Sequence, residues 1–342
     1  MRGIVSAAAY LPRGTVDGRR TAGSDEDGFT LGATALERLR DATGGSPAVA
    51  RIQLVGDLPT TAEADLPRVL GASVLVERFR GGAAGFSEAM ESALDAARGP
   101  DAAVVVAVDL PSRGVRSTGA PPAPDPDSGI ALLVGEGATV DAKALREQVS
   151  PDAAFATAAV FRVARAHVAA EPSVWVGDWD PTVGGAGPVT PPVSLPNEGP
   201  VSQGAYVPKA RYLENLPSRW TFAAQKCPSC RTVTFPARGR CRQCGNQVGL
   251  ETIRLPRDGG EVVASTVIGK GGQPTEFDAQ VESSGPYGVV LVELAPGIRV
   301  TLQVADAEPG ALRIGSRVAT RLRRLYPMEG EWRYGRKAVP LG

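Results

Sequence analysis

The hydrophobic pattern of the chain changes character along its length. Up to about residue 140, short apolar runs alternate with stretches of helical period. Residues 3–11, 51–55, 74–76, 102–108 and 129–134 predict strands. Residues 25–39 predict a helix with acidic residues at its start, and 62–70 a helical segment. Residues 85–97 predict a helix on which Phe86, Met90 and Leu94 recur every fourth position. The run 102–108 is apolar without alternation, which predicts burial on both faces, as in a layered α/β sheet. The helix bearing Phe86 can screen only part of that surface, so the pattern also predicts cover from another chain.

Residues 153–170 form an Ala-rich, helix-like stretch containing the single histidine, His167, and 173–176 predict a short strand. Residues 181–200, rich in Pro, Gly and Val with hardly any charge, read as an extended linker. Beyond residue 250 the period is that of strands: 260–268, a hairpin of 287–294 and 298–304 around Ala295, Pro296 and Gly297, then 317–325 and 332–339. With Gly- and Pro-marked turns and no convincing helix, these predict a small barrel of about 80 to 90 residues. The expected organisation is therefore multidomain, α/β followed by β. An α/β domain spans 1–180, a linker 181–204, a helical lead-in and metal ribbon 205–250, and a barrel 251–342.

The ribbon rests on the chain's only four cysteines, Cys227-Pro-Ser-Cys230 and Cys241-Arg-Gln-Cys244. Each pair can fold into a knuckle that points two thiolates at one ion, and two knuckles complete an all-sulfur tetrahedral shell. A redox dithiol usually stands alone at the start of a helix after a strand. Here two copies flank the β-prone residues 232–235, and Pro236 comes next. The spacing favours structural zinc over iron or disulfides, and four protein ligands leave no open position for chemistry.

At 342 residues and 43% apolar, the chain has room for two or three domains with real cores. Lys plus Arg equal Asp plus Glu at 37 each, so no basic surplus marks nucleic acid as the default partner. The start lacks a basic-then-apolar signal pattern and no apolar run approaches about 18 residues. With the thiols assigned to metal, the cytoplasm is the expected compartment.

Two resemblances sharpen this. Gly3 to Pro12, Asp25 to Leu31, the Gly81-Gly-Ala-Ala-Gly85 turn and Ser128 to Gly135 together resemble the N-terminal half of the thiolase superfamily, in its hydroxymethylglutaryl-CoA synthase and ketoacyl synthase III branch. That resemblance implies a nucleophilic cysteine at the strand-to-helix turn. Here the slot falls at Gly82 or Ala83, which cannot form an acyl-enzyme. Residues 153–180 leave room for one helix and one strand, too little for a second thiolase half. The glycines do not match the dinucleotide fingerprint G-x-G-x-x-G.

The second half more closely resembles OB-fold proteins with an N-terminal rubredoxin-like zinc ribbon that accompany thiolases and acyl-CoA-handling enzymes. The residues that carry this likeness are Tyr212-Leu213, the two cysteine pairs, Phe235-Pro236, Gly259 to Val262, Pro286-Tyr287, Leu291 to Leu294 and Leu312 to Val318. A departure is Ile268-Gly-Lys270 with the polar loop after it. The resemblance implies a noncatalytic accessory subunit that docks on a thiolase-like condensing or aldolase enzyme, as a hetero-oligomer, and assists acyl-CoA handling. Arg238, Arg240 and Arg321 are candidate contacts to CoA phosphates. Two rival classes are an acyltransferase or synthase in its own right and a nucleic-acid-binding ribbon and barrel. The latter would use Arg238, Arg240, Arg242, Arg321, Arg323 and Arg324, among few aromatics.

Overall fold

A computed structural model describes residues 2–13, 15–16, 19–20, 22–23, 25–44, 48–71, 73–98, 100–111, 127–136, scattered positions between 138 and 179, then 209–328 and 331–341. The expected linker and His167 lie outside the described residues. The chain divides into two compact units, Met1–Val189 and Thr190–Gly342.

The first unit is built in the order β1 (Arg2–Tyr10), a small ribbon of β2 (Thr15–Val16) and β3 (Arg19–Arg20), α1 (Gly28–Ala42), β4 (Val49–Gly56), α2 (Ala62–Leu70), β5 (Leu75–Phe79), α3 (Gly82–Ala96), β6 (Ala102–Asp109), β7 (Ser128–Glu136) and β8 (Trp175–Gly177). The sheet order is β5-β4-β6-β7-β1-β8. Helical crossovers place β5 and β6 parallel to β4, whereas β7 runs antiparallel to both β6 and β1.

Burial of β6 on both faces is borne out, since every residue from Ala103 to Val108 is 0% exposed. One face, Ala103, Val105 and Ala107, packs with Phe86, Met90 and Ala93 of α3 and with Val160, Phe161 and Trp175. The other lies under α1, where a side-chain carbon on Gly32 would sit 3.1 Å from Val106 and 3.2 Å from Val108. Both covers come from this chain. The expectation that β6 needs another chain to cover it is therefore overturned, because α1 and α3 clamp the sheet from opposite sides.

The first helix begins later than its acidic residues suggested. Asp27 is its N-cap: the carboxylate accepts from the Thr30 backbone N–H at 2.9 Å, and Thr30 Oγ1 accepts from the Asp27 N–H at 2.8 Å. Glu26 lies before the helix, buried, accepting from the Tyr10 hydroxyl and the Gly23 N–H. These carboxylates anchor the approach to the helix instead of occupying its first turn.

The second unit opens with α4 (Lys209–Glu214) and α5 (Leu216–Thr221). A three-stranded antiparallel sheet comes next, β10 (Val233–Thr234), β9 (Ala223–Lys226) and β11 (Glu251–Arg254) in spatial order. The remaining strands are β12 (Asp258–Ile268), β13 (Tyr287–Ala295), β14 (Ile298–Gln303), β15 (Arg317–Met328) and β16 (Glu331–Pro340), in the order β14-β13-β12-β15-β16 with every neighbour antiparallel. The two edge strands meet at a bridge between Val304 and Ala338, so the sheet nearly closes into a barrel. Alternation puts Ile298, Val300 and Leu302 of β14 into one core with Val290 and Val292 of β13 and with Phe222 and Ala224 beside the ribbon.

The expectation that the barrel region beyond residue 250 lacks helix is corrected. Residues Thr275–Phe277 form a 3₁₀ turn and Asp278–Ser284 form α6. Only Val281 of α6 is buried, so no amphipathic stripe marks it in sequence. Phe277 nonetheless anchors the segment, packing on Tyr287 and Tyr326 at centroid distances of 5.6 and 5.4 Å.

Candidate functional site

The two cysteine pairs fold into matched knuckles. Cys227 N–H donates to Thr232 O at 3.0 Å and Cys241 N–H to Asn246 O at 2.8 Å, each reaching five residues forward. Four residues after each leading cysteine, the N–H of Arg231 and of Gly245 returns to that cysteine's carbonyl, at 3.0 and 3.1 Å. Both residues are left-handed, with φ of 63° and 75°. Glycine meets that geometry freely, whereas Arg231 holds it against about 1–2 kcal/mol of steric cost.

The four Sγ atoms lie within 4.8 Å of one another, with Cys227 to Cys244 at 3.6 Å and Cys230 to Cys241 at 3.5 Å. A tetrahedron of sulfurs about 2.3 Å from zinc has edges of about 3.8 Å, so the cluster fits the ion. Hydrogen bonding from the Cys230 backbone lowers the Cys227 thiol to about 6. At Cys244 the Asn246 backbone pulls the pKa down, yet the neighbouring thiols push it up to about 11. Four such sulfurs cannot all ionise together without a cation among them. Zinc bound here is structural, since the protein fills its shell.

Along the stretch that carries the ligands the charge is of one sign. Between Glu214 and Glu251 the sequence holds Arg219, Lys226, Arg231, Arg238, Arg240 and Arg242 and no acidic residue. Arg238 and Arg240 are exposed and make no ion pair with another described residue. The arginines of β15 are placed differently. Arg321 is paired with Asp258 at 2.7 Å, Arg323 is fully buried against Asp306 at 3.2 Å, and Arg324 lies over the Trp332 ring at 4.8 Å. The second arginine group is thus no open basic face.

In the first unit, Gly82 is the first residue of α3 and has a φ of 79°. Gly81 packs beside Gly56. Neither Gly82 nor Ala83 brings a nucleophile to this turn. Asp109, at the end of β6, is buried and committed to the Thr157 N–H at 2.6 Å and hydroxyl at 2.7 Å.

A groove of about 480 Å³ in the second unit escaped sequence reasoning. Its walls come from α5, from Phe235 and Pro236 of the ribbon, and from β14, β15 and β16. Phe222, Leu302 and Leu325 supply apolar surface and Arg219, Arg299 and Arg336 supply charge. Segments so far apart along the chain carry no joint signal in one dimension.

Two family models match this unit: the rubredoxin-like zinc ribbon domain of ChsH2 at residues 221–251 and the ChsH2 C-terminal OB-fold domain at 253–323. A DUF35 domain-containing scaffold protein of Methanothermobacter thermautotrophicus is 32% identical over 121 residues, 35% of this chain and 85% of the relative. The ketoacyl-acyl carrier protein synthase III structure from Thermus thermophilus is similar at a TM-score of 0.35 and 20% identity, covering 40% of this chain and 52% of that one. This chain thus spans about half of that synthase's length. An Ltp2-ChsH2(DUF35) aldolase structure is similar at a TM-score of 0.30 and 22% identity, covering 42% of this chain and 98% of that one. The resemblance of the second half to zinc-ribbon OB-fold proteins is borne out.

Proposed function

We propose, from the premise that the chain belongs to the DUF35-domain family through its zinc ribbon and OB-fold barrel, that it is a noncatalytic accessory subunit. In this reading it docks, in the cytoplasm, on a thiolase-like condensing or aldolase enzyme and assists that enzyme's handling of an acyl-CoA thioester. The observation that carries the reading is the match to a scaffold protein over 85% of that relative's length. Gly82 supports it from the other unit, since the helix N-terminus that would activate a thiol carries none. Among the described residues no helix is long and apolar enough to cross a membrane.

The edge strand β5 of the first unit's sheet, with Leu75 exposed, suits a partner surface, and an obligate interface there would bury at least about 2,000 Å². Arg238 and Arg240 suit the phosphates of CoA, and Arg321 would join them only by leaving Asp258. Co-expression with a thiolase-like chain encoded alongside, followed by size-exclusion chromatography, should give one hetero-oligomeric peak. A monomer that ignores such a partner at micromolar concentration overturns the docking.

The isolated chain should show no thiolase, synthase or aldolase turnover. Gly82→Cys should not create it, because a cysteine at a φ of 79° is strained. Robust condensation by the purified wild-type chain, followed as CoA release, would sink the accessory reading.

A further inference from the structure

The groove lies where the barrel fails to close. Val304 sends its N–H to Gly288 on β13 at 2.8 Å, whereas Ala305 sends its own across to Ala338 of β16, also at 2.8 Å. Backbone groups alternate sides along a strand, so Gln303, Thr301 and Arg299 turn theirs toward the seam, and Leu302 and Val300 turn theirs toward β13. Among the described residues no ladder joins β14 to β16 before the Val304–Ala338 bridge. On the opposite bank the edge is already blunted. Tyr334 donates its N–H to the Tyr212 hydroxyl at 2.9 Å, and its carbonyl accepts from that hydroxyl at 3.2 Å and from the Trp220 indole at 3.0 Å.

The open edge of β14 therefore faces a cleft with an apolar wall and a basic rim, and no carboxylate lines it among the described residues. Arg299 is held by Glu293 at 2.7 Å, and Arg336 donates to the carbonyls of Trp220 and Thr320. Arg219, half-buried over the Tyr212 ring at 6.0 Å, has no carboxylate partner among the described residues. A row of strand-edge groups repeats with the spacing of another strand, which a compact anion cannot match along its length.

We propose that this groove captures an extended segment of a partner protein, alternating apolar and acidic, that adds as a strand along β14. Its apolar side chains face Phe222, Phe235 and Leu302, its carboxylates meet Arg219, and its backbone bonds Thr301 and its neighbours. From Arg299 to Gln303 the edge spans about 13 Å, room for about four residues. Such capture is independent of which enzyme the chain docks on.

The test uses the full zinc-loaded chain and a fluorescein-labelled hexapeptide of alternating valine and glutamate, read by anisotropy. Saturable binding is expected. It should weaken about ten-fold or more when lysine replaces glutamate, when alternate peptide amides are N-methylated, or when the protein carries Arg219→Glu, the scale of one lost charge-assisted or backbone hydrogen bond. Thr301→Pro, which removes an N–H facing the seam from an edge strand, should do the same at unchanged zinc content. If Thr301→Pro does not fold, the N-methylated peptide asks the same question of the wild-type chain. No binding at millimolar peptide, or binding indifferent to peptide charge or N-methylation or to Arg219→Glu, would overturn the proposal. So would displacement by CoA with no N-methylation effect, which would assign the groove to small anions.

Discussion

Replacing Cys227 by Ala should abolish zinc binding and unfold the ribbon. Little besides the metal holds that segment together. Its strands β10, β9 and β11 are two to four residues long, and the turns between the cysteines bury almost no apolar side chain of their own. Binding of a structural zinc is worth about 10–16 kcal/mol in comparable modules, which is folding free energy, since the unfolded chain offers no site. With three thiolates the shell is open and one buried ligand position is apolar. The damage should reach the barrel, because Phe222 and Phe235 meet edge to face at 5.9 Å where the ribbon joins the barrel core. Metal analysis should give about one zinc per wild-type chain and none for Cys227→Ala or Cys244→Ala. Limited proteolysis of either variant, or of chelator-treated wild type, should cut between residues 227 and 244. Folded, protease-resistant protein without metal would contradict the structural assignment.

Trp220→Ala should cost about 3–5 kcal/mol, the scale of removing a fully packed large aromatic. Trp220 is 2% exposed, packs edge to face on Tyr334 at 6.2 Å, and donates its indole N–H to the Tyr334 carbonyl at 3.0 Å. Arg336 in turn donates to the Trp220 carbonyl. The residue therefore fastens α5 to β16 through side chain and backbone alike. Trp220→Phe separates the two contributions: it keeps a ring in the core but removes one donor from a buried carbonyl, at about 1–2 kcal/mol. Denaturant unfolding of the zinc-loaded chain should rank wild type above Trp220→Phe and that above Trp220→Ala. A loss near 0.5 kcal/mol for Trp220→Ala, the level of a surface change, would show that α5 does not brace the barrel.

Features whose cause is local could be read directly from the residues. The metal centre was legible because two knuckles need only residues within eighteen positions of each other, from Cys227 to Cys244. The strand β6 was legible because an unalternating apolar run has no polar face to give to water, and both its faces are buried. The period-two pattern of β13 and β14 likewise announced a half-buried sheet.

Features that depend on distant segments meeting became visible in the fold alone. Which chain covers β6 is not written in its residues, because a strand's pattern states that cover exists and not where it comes from. In the structure it is α1 and α3 of the same unit. The arginines of β15 looked alike in sequence, yet Arg323 is wholly buried and Arg321 is spoken for by Asp258, sixty-three residues away. Helix α6 carried no amphipathic signal because one aromatic neighbour, Phe277, does its anchoring through Tyr287 and Tyr326. The seam between β14 and β16 is the clearest case. Whether two edge strands pair or part is set by barrel geometry and by the side chains of Tyr212 and Trp220, which reach Tyr334 from more than a hundred residues away, and no local pattern encodes that distance.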